Sequence, residues 1–276
     1  VGSKSDVPLG LQSVSVRREG NRLDHDFVVI EEPLEIRVSG QPLVVTMRTP
    51  GHDADLAAGF LFGENVINQG SDITSVDART GSSQQNTQIK AAKFAGDSID
   101  VSVRENLKQV DIEHVQREYR ATAACGVCGK TEIADLDFKL PELTRTEINT
   151  TLLETLPDIL RQSQTLFEVT GGIHAAGIFD QAGSLLCIRE DIGRHNAVDK
   201  AIGHFVRMEA VPLTQNILVV SGRAGFELVQ KALKASIPVM VSVGAASSLA
   251  VQMATDAGMA LYSFAGRGRG NLHVKD

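Results

Sequence analysis

Tryptophan is absent from the 276 residues, tyrosine occurs twice, and aromatic residues total 4%. A core without aromatic bulk must be aliphatic, and stacking of successive nucleobases has few rings to use. Positive charge is also in deficit, with 27 Lys and Arg against 34 Asp and Glu and a formal net charge of −7. That balance disfavours general nucleic-acid binding; a polyanionic ligand would need a local basic patch. The three cysteines are too few for a disulfide framework and point to a reducing compartment, so the expectation is a cytoplasmic protein. No uninterrupted apolar run approaches about 18 residues, and no secretory signal is read, so no membrane segment is expected. What is present, 42% hydrophobic and 22% charged residues, is the composition of a globular protein of one large or two ordinary domains.

Periodicity divides the chain into three parts: a β-rich lobe over 1–115, a connection over 116–146, and an α/β lobe over 147–276. In the first, Phe27 to Ile30 and Leu34 to Val38 are extended, Ser39 to Pro42 turns, and Leu43 to Met47 is predicted as a buried strand. Asp53 or Asp55 is placed to cap a helix running to Asn65, with His52 beside it as either a site residue or a turn residue. Residues 68–90 look like an exposed excursion, and Ser98 to Val103 alternates as a strand. The third part opens with a helix over Glu147 to Phe167, with a bend predicted at Pro157. It continues with a hairpin (Ala175 to Asp180, Leu185 to Arg189), a helix over Asn196 to Val206, and strands at Ile217, Val239 and Met259 separated by short helices. Strands alternating with roughly ten-residue helices predict a mostly parallel sheet.

The last three strands each run into a glycine- or serine-rich turn: Ser221-Gly222-Arg223, Gly244 to Ser248, and Gly266-Arg267-Gly268-Arg269. Ligands of parallel sheets sit outside the carboxyl ends of strands, where glycine lets backbone N–H groups approach a phosphate. If the three strands are neighbours, Arg223, Arg267 and Arg269 converge on one mouth and pair with an anion. The competing reading is that such turns need Gly and Ser in any case. None matches a P-loop or a dinucleotide fingerprint.

The connection carries Ala121 to Lys130, with Cys125 and Cys128 set among glycines. Four readings stay open for this pair: half of a structural zinc site, a thioredoxin-like redox motif, a nucleophilic or carrier thiol, or inert small residues. Cys187, His174 and His195 are available as further zinc ligands but do not form a second pair. Arg117, Arg120 and Lys130 would raise the thiolate fraction of a carrier cysteine. Thr170 to Gly177 invites comparison with zinc deaminases, yet Ala176 stands where their proton-carrying Glu belongs, so deamination is not expected. Glu190 to Asn196 packs charges before a helix, and Asp191 or Asn196 is a candidate cap.

Taken together, Ala124 to Lys130, Thr170 to Ala176, Arg189 to Lys200 and Ser221 to Ala224 resemble the FdhD/NarQ family of formate dehydrogenase accessory sulfurtransferases. The resemblance runs from about Asp24 to His273. It implies a cytidine-deaminase-like C-terminal lobe and an activity: persulfide sulfur is taken from a cysteine desulfurase and passed to the molybdenum (or tungsten) bis(pterin guanine dinucleotide) cofactor of formate dehydrogenase. It implies Cys125 as the persulfide carrier, Cys128 as its companion, and Phe264-Ala265-Gly266-Arg267-Gly268-Arg269 as the cofactor-binding stretch. It implies a homodimer. No structural metal is expected, and a non-catalytic chaperone that only binds the cofactor is the alternative.

Overall fold

The computed structural model describes residues 9–18, 22–79, 96–107, 143 and 148–273. Cys125, Cys128 and nearly all of the 116–146 connection lie outside the described residues, as do Arg117, Arg120, Lys130 and part of the 68–90 excursion. Among the described residues no helix is long and apolar enough to cross a membrane.

Strands β1 (Leu11–Arg18) and β2 (Arg22–Val29) form an antiparallel ribbon. Strands β3 (Glu32–Val38), β4 (Gln41–Arg48), β5 (Ile73–Arg79) and β6 (Asp97–Val103) form a four-stranded sheet in the order β4-β3-β6-β5. Ser39 (φ 47°) and Gly40 (φ 84°) make the two-residue turn between β3 and β4, and positive φ at both centres matches the twist of a hairpin. The strand predicted as buried, β4, is instead an edge strand with Val45 62% and Met47 47% exposed. Its Pro42 has no N–H to give to a ladder, which an edge tolerates and a central strand does not.

Helix α1 (Asp53–Gly63) is apolar on nearly every side and buried from Asp55 to Gly63. Neither aspartate caps it. His52 is the N-cap, in the left-handed region (φ 57°) with no side-chain cap bond. The aspartates serve arginines instead: Asp53 accepts from the fully buried Arg48 at 3.1 Å. Asp55 accepts from Arg189 at 2.7 Å and Arg207 at 2.6 Å. A guanidinium removed from water needs a carboxylate more than a helix end needs a cap.

A second sheet of six strands is built from β7 (His174–Asp180), β8 (Leu185–Asp191), β9 (Asn216–Val220), β10 (Val239–Ser242), β11 (Ala260–Gly266) and β12 (Arg269–His273), in the order β12-β11-β10-β9-β7-β8. It is mixed. The β9-β10-β11 run is parallel, as the alternation of strands and helices predicts. The flanks are antiparallel: β7 pairs with β8 through a tight turn, β7 opposes β9, and β12 folds back on β11.

Helix α2 (Thr150–Gln162) covers one face of this sheet, where Leu153, Leu156 and Leu160 meet Phe179, Ile217, Val219, Val241 and Tyr262. It passes through Pro157 and is interrupted at Ser163-Gln164, not at the proline. The interruption has a local cause: Glu190 accepts from the N–H groups of Leu166 and Phe167 at 3.0 Å each, founding a new short helix, α3 (Thr165–Thr170). Helices α4 (Arg194–Arg207), α5 (Phe226–Lys234) and α6 (Ser248–Asp256) take the other face, meeting Ala176, Ile178, Leu218, Val220, Met240 and Leu261. Successive residues of β9 thus enter opposite cores, as the strand period of two requires. The α4 N-cap is Gly193; Asp191, a sequence candidate, accepts from its N–H at 2.8 Å without being the cap, and Asn196 lies inside the helix.

One apolar cluster joins α1 and the four-stranded sheet to α4, α5 and α6. At its centre α1 and α4 touch backbone to backbone. A Cβ on Gly59 would lie 1.9 Å from the Asp199 carbonyl oxygen, and one on Gly203 would lie 1.9 Å from that of Asp55. Gly203→Ala is therefore expected to cost about 1–3 kcal/mol by overpacking. Gly225→Ala, with nothing within 4 Å, should shift stability by less than about 1 kcal/mol. Equal denaturation midpoints for the two variants would refute the close contact.

Candidate functional site

Because β9, β10 and β11 are adjacent and parallel, their carboxyl ends lie side by side. The Gly244 N–H donates to the Gly222 carbonyl at 2.9 Å, and the Phe264 N–H donates to the Gly244 carbonyl at 3.1 Å. A cavity of about 660 Å³ opens against these ends. Its walls come from α2 between Pro157 and Arg161, from Gln164 and Phe167, from Gly171 to His174, and from Ser221, Val243, Phe264 to Arg267 and Arg269.

Of the residues proposed from sequence, Ser221, Phe264, Ala265, Gly266, Arg267 and Arg269 line this cavity. Gly222, Arg223, Gly244 and Gly268 stand beside it without lining it. Gly244 has a packing reason: a Cβ there would lie 3.0 Å from the Arg223 backbone. Ser221 uses its hydroxyl to accept from the Ala175 N–H at 2.9 Å. The stretch 264–269 is not a strand-to-helix turn like the other two but the tip of the β11-β12 hairpin, so no helix N-terminus stands behind it. Arg267 (φ 55°) and Gly268 (φ 68°) form the hairpin turn, while Phe264 (φ 53°) sits at a bulge and is 53% exposed. A bulky side chain held in that region costs about 1–3 kcal/mol and persists only where the surroundings impose it.

Sequence reasoning did not single out Arg161, Gln164 and Phe167. They form the wall contributed by α2 and α3, with the Arg161 guanidinium 4.1 Å from the centre of the Phe167 ring. The available signal was the polar face of α2 opposite Leu153, Leu156 and Leu160, but nothing local says what that face meets. Three arginines and one carboxylate, Asp158, therefore line a cleft whose remaining walls are largely apolar or glycine.

His174 lines the cavity, and burial, followed by Arg194 and His195, holds its imidazole below its ordinary value, which favours the neutral form. His195 instead pairs through Nε2 with Glu227 at 2.7 Å, linking α4 to α5. Burial alone would raise the Glu227 carboxyl, but the hydrogen bond and charge of His195 outweigh it and set it below its ordinary value. His52 is exposed at the head of α1, 3.8 Å from Asp55. The charged run 189–200 is used internally: Asp191 and Lys200, both fully buried, pair at 2.7 Å, and Lys200 also donates to the Thr49 carbonyl at 2.8 Å. Among the described residues no group of three or more His, Cys, Asp and Glu is arranged to hold a metal ion.

The class this geometry defines is a mixed α/β protein with an arginine-lined cleft at the ends of a central parallel strand run. Over residues 29–275 the chain matches the model of the FdhD/NarQ family, and it belongs to that family. It is 45% identical over 247 residues to the sulfur carrier protein FdhD of Corynebacterium efficiens, covering 89% of this chain and 87% of that protein. It is 36% identical over 261 residues to the sulfur carrier protein FdhD of Sulfolobus acidocaldarius, covering 94% and 92%. Its fold is similar to a crystal structure from Desulfotalea psychrophila named as a formate dehydrogenase accessory protein, with TM-score 0.68 at 23% identity over 96% of this chain and 97% of that one.

The third cysteine, Cys187, lies in the core of β8 at 5% exposure, and burial pushes its thiol up to about 11. At pH 8 it is therefore protonated as well as inaccessible, and the thiol form is a poor nucleophile. Peptide mapping after iodoacetamide treatment should find Cys187 unmodified in the native protein and fully modified after denaturation. Native labelling of Cys187 at pH 8 would contradict its placement.

Proposed function

We propose that this chain is a sulfur carrier with sulfurtransferase activity that serves the bis(pterin guanine dinucleotide) cofactor of formate dehydrogenase. The observation that supports this reading best is the cleft of Arg161, Arg267 and Arg269 at glycine-rich strand ends, in a chain whose relatives are named sulfur carrier proteins. The cofactor is cargo in this reading, and its guanine dinucleotide phosphates suit guanidinium pairs and close backbone approach. At about 660 Å³ the cavity suits a nucleotide-sized end of such a cargo.

In the first step the Cys125 thiolate attacks the terminal sulfur of a cysteine desulfurase persulfide. One S–S bond forms as another breaks, and the desulfurase leaves as a thiolate. In the second step the Cys128 thiolate attacks Sγ of the Cys125 persulfide, so that the terminal sulfur departs as hydrosulfide toward the metal. The two cysteines close a disulfide and supply the two electrons that reduce the sulfur. Such chemistry belongs to a reducing compartment, here the cytoplasm, with the desulfurase upstream, formate dehydrogenase downstream, and a homodimer as the working unit.

Incubation with desulfurase and cysteine should add one sulfur to Cys125 by intact-mass and peptide analysis. Cys125→Ala should lose both that label and activation of apo formate dehydrogenase. Cys128→Ala should keep the label but fail to discharge it. If the variant lacking both Cys125 and Cys128 still activates the enzyme while Arg267→Gln with Arg269→Gln does not, the chain is a cofactor chaperone and the carrier reading fails.

A further inference from the structure

Two observations on the α2-α3 wall have no use within the protein itself. Gln164 is 3% exposed, lines the cavity, and its side-chain Nε2 has no hydrogen-bond partner. A buried amide donor left unpaired is costly and calls for an explanation, and a bound ligand is one that a cavity-lining position offers. The N-terminus of α3 gives no account of it, because its N–H groups are themselves donors and Glu190 accepts from those of Leu166 and Phe167. One turn earlier, Arg161 lies over the Phe167 ring at 4.1 Å, which holds a long, rotamer-rich side chain in place at the cavity wall. A guanidinium held this way loses less freedom when it meets an anion.

These residues lie on a different element from Arg267 and Arg269, so the cavity has one cation, Arg161, on its helical wall, which also carries the Asp158 carboxylate, and two on its hairpin wall. A ligand that engages both walls needs anionic oxygens and, for Gln164, a neutral acceptor. Guanosine diphosphate carries both, in its phosphates and in the O6 carbonyl of its base.

We infer that Arg161, held by Phe167, and Gln164 divide ligand recognition on the helical wall of the site, with Arg161 taking phosphate oxygens and the Gln164 amide donating to a carbonyl of the guanine base. This rests on the guanine dinucleotide reading of the cavity. It assigns the recognition of phosphate and base to separate side chains of one helical wall, opposite the hairpin.

Calorimetric titration of the full chain with GDP and with inorganic pyrophosphate tests it. Arg161→Gln should weaken both ligands by about tenfold, the loss of one charge-assisted pair. Phe167→Leu, which frees the guanidinium, should weaken both by a smaller factor. Gln164→Met keeps the side-chain volume and removes the amide; it should weaken GDP by about tenfold and leave pyrophosphate unchanged. Its thermal midpoint should hold or rise, since an unpaired buried donor has been removed.

A Gln164→Met protein that weakens pyrophosphate as much as GDP, or that melts earlier, overturns the role given to the amide. If Arg161→Gln and Gln164→Met bind GDP as the wild type does, while Arg267→Gln with Arg269→Gln abolishes binding, the helical wall is not part of the site and the cavity reading stands. If the unmodified protein binds neither GDP nor pyrophosphate, the nucleotide cargo itself is overturned and this inference falls with it.

Discussion

The contact between α1 and α4 is the constraint on which the arrangement depends. Two glycines, Gly59 and Gly203, let the helices meet with backbone atoms where any other residue would place a Cβ within 2 Å of a carbonyl oxygen. Such an approach leaves no tolerance in rotation or offset. It fixes the four-stranded sheet, which packs against α1, relative to the six-stranded sheet, which packs against α4. Gly70, whose Cβ would lie 2.0 Å from the Val206 carbonyl, extends the same close approach toward the end of α4.

Buried charges then reinforce this junction. Asp55 of α1 is held by Arg189 of β8 and Arg207 of α4, and Asp199 of α4 by Lys231 of α5 at 2.7 Å. Burial alone would lower the Lys231 ammonium, but Asp199 and Glu64 outweigh it and keep it charged. Asp191 and Lys200 tie β8 to α4 and, through Thr49, to the end of β4. Each pair costs desolvation, so its net stabilisation is small, while loss of one partner leaves an uncompensated charge and costs about 3–5 kcal/mol. These groups therefore act as registry marks more than as sources of stability. The conspicuous run from Arg189 to Lys200 owes much of its charge to this task.

The cavity inherits its position from that framework. The parallel run β9-β10-β11 sets three strand ends side by side, and α2 lies over one face so that its last turn overhangs them. Glu190 ends α2 indirectly by founding α3, which brings Phe167 under Arg161. The hairpin with Phe264 and Arg267 in positive φ closes the opposite side. Electrostatically the cleft, lined by three arginines and one carboxylate, is a local exception in a chain of net charge −7.

Much of this was legible in the residues. The apolar runs at Ile217, Val239 and Met259 predicted three central strands because each is short and is bounded by turn residues, and in β9 and β10 four consecutive residues are indeed buried on both faces. The glycines and arginines after them predicted a cation-bearing end, and the scarcity of aromatics predicted an aliphatic core, which the structure qualifies by burying Phe60, Phe62, Phe179, Phe226 and Tyr262 within it. Tertiary structure alone decided the rest, because it concerns what side chains meet at long separation. It made β4 an edge, turned Asp53 and Asp55 from caps into arginine partners, and let Glu190 rather than Pro157 end the helix. It also brought Arg161 and Gln164 into one cavity with Arg267 and Arg269. A local pattern records which face of a helix is polar; only the packed fold supplies the wall that face confronts.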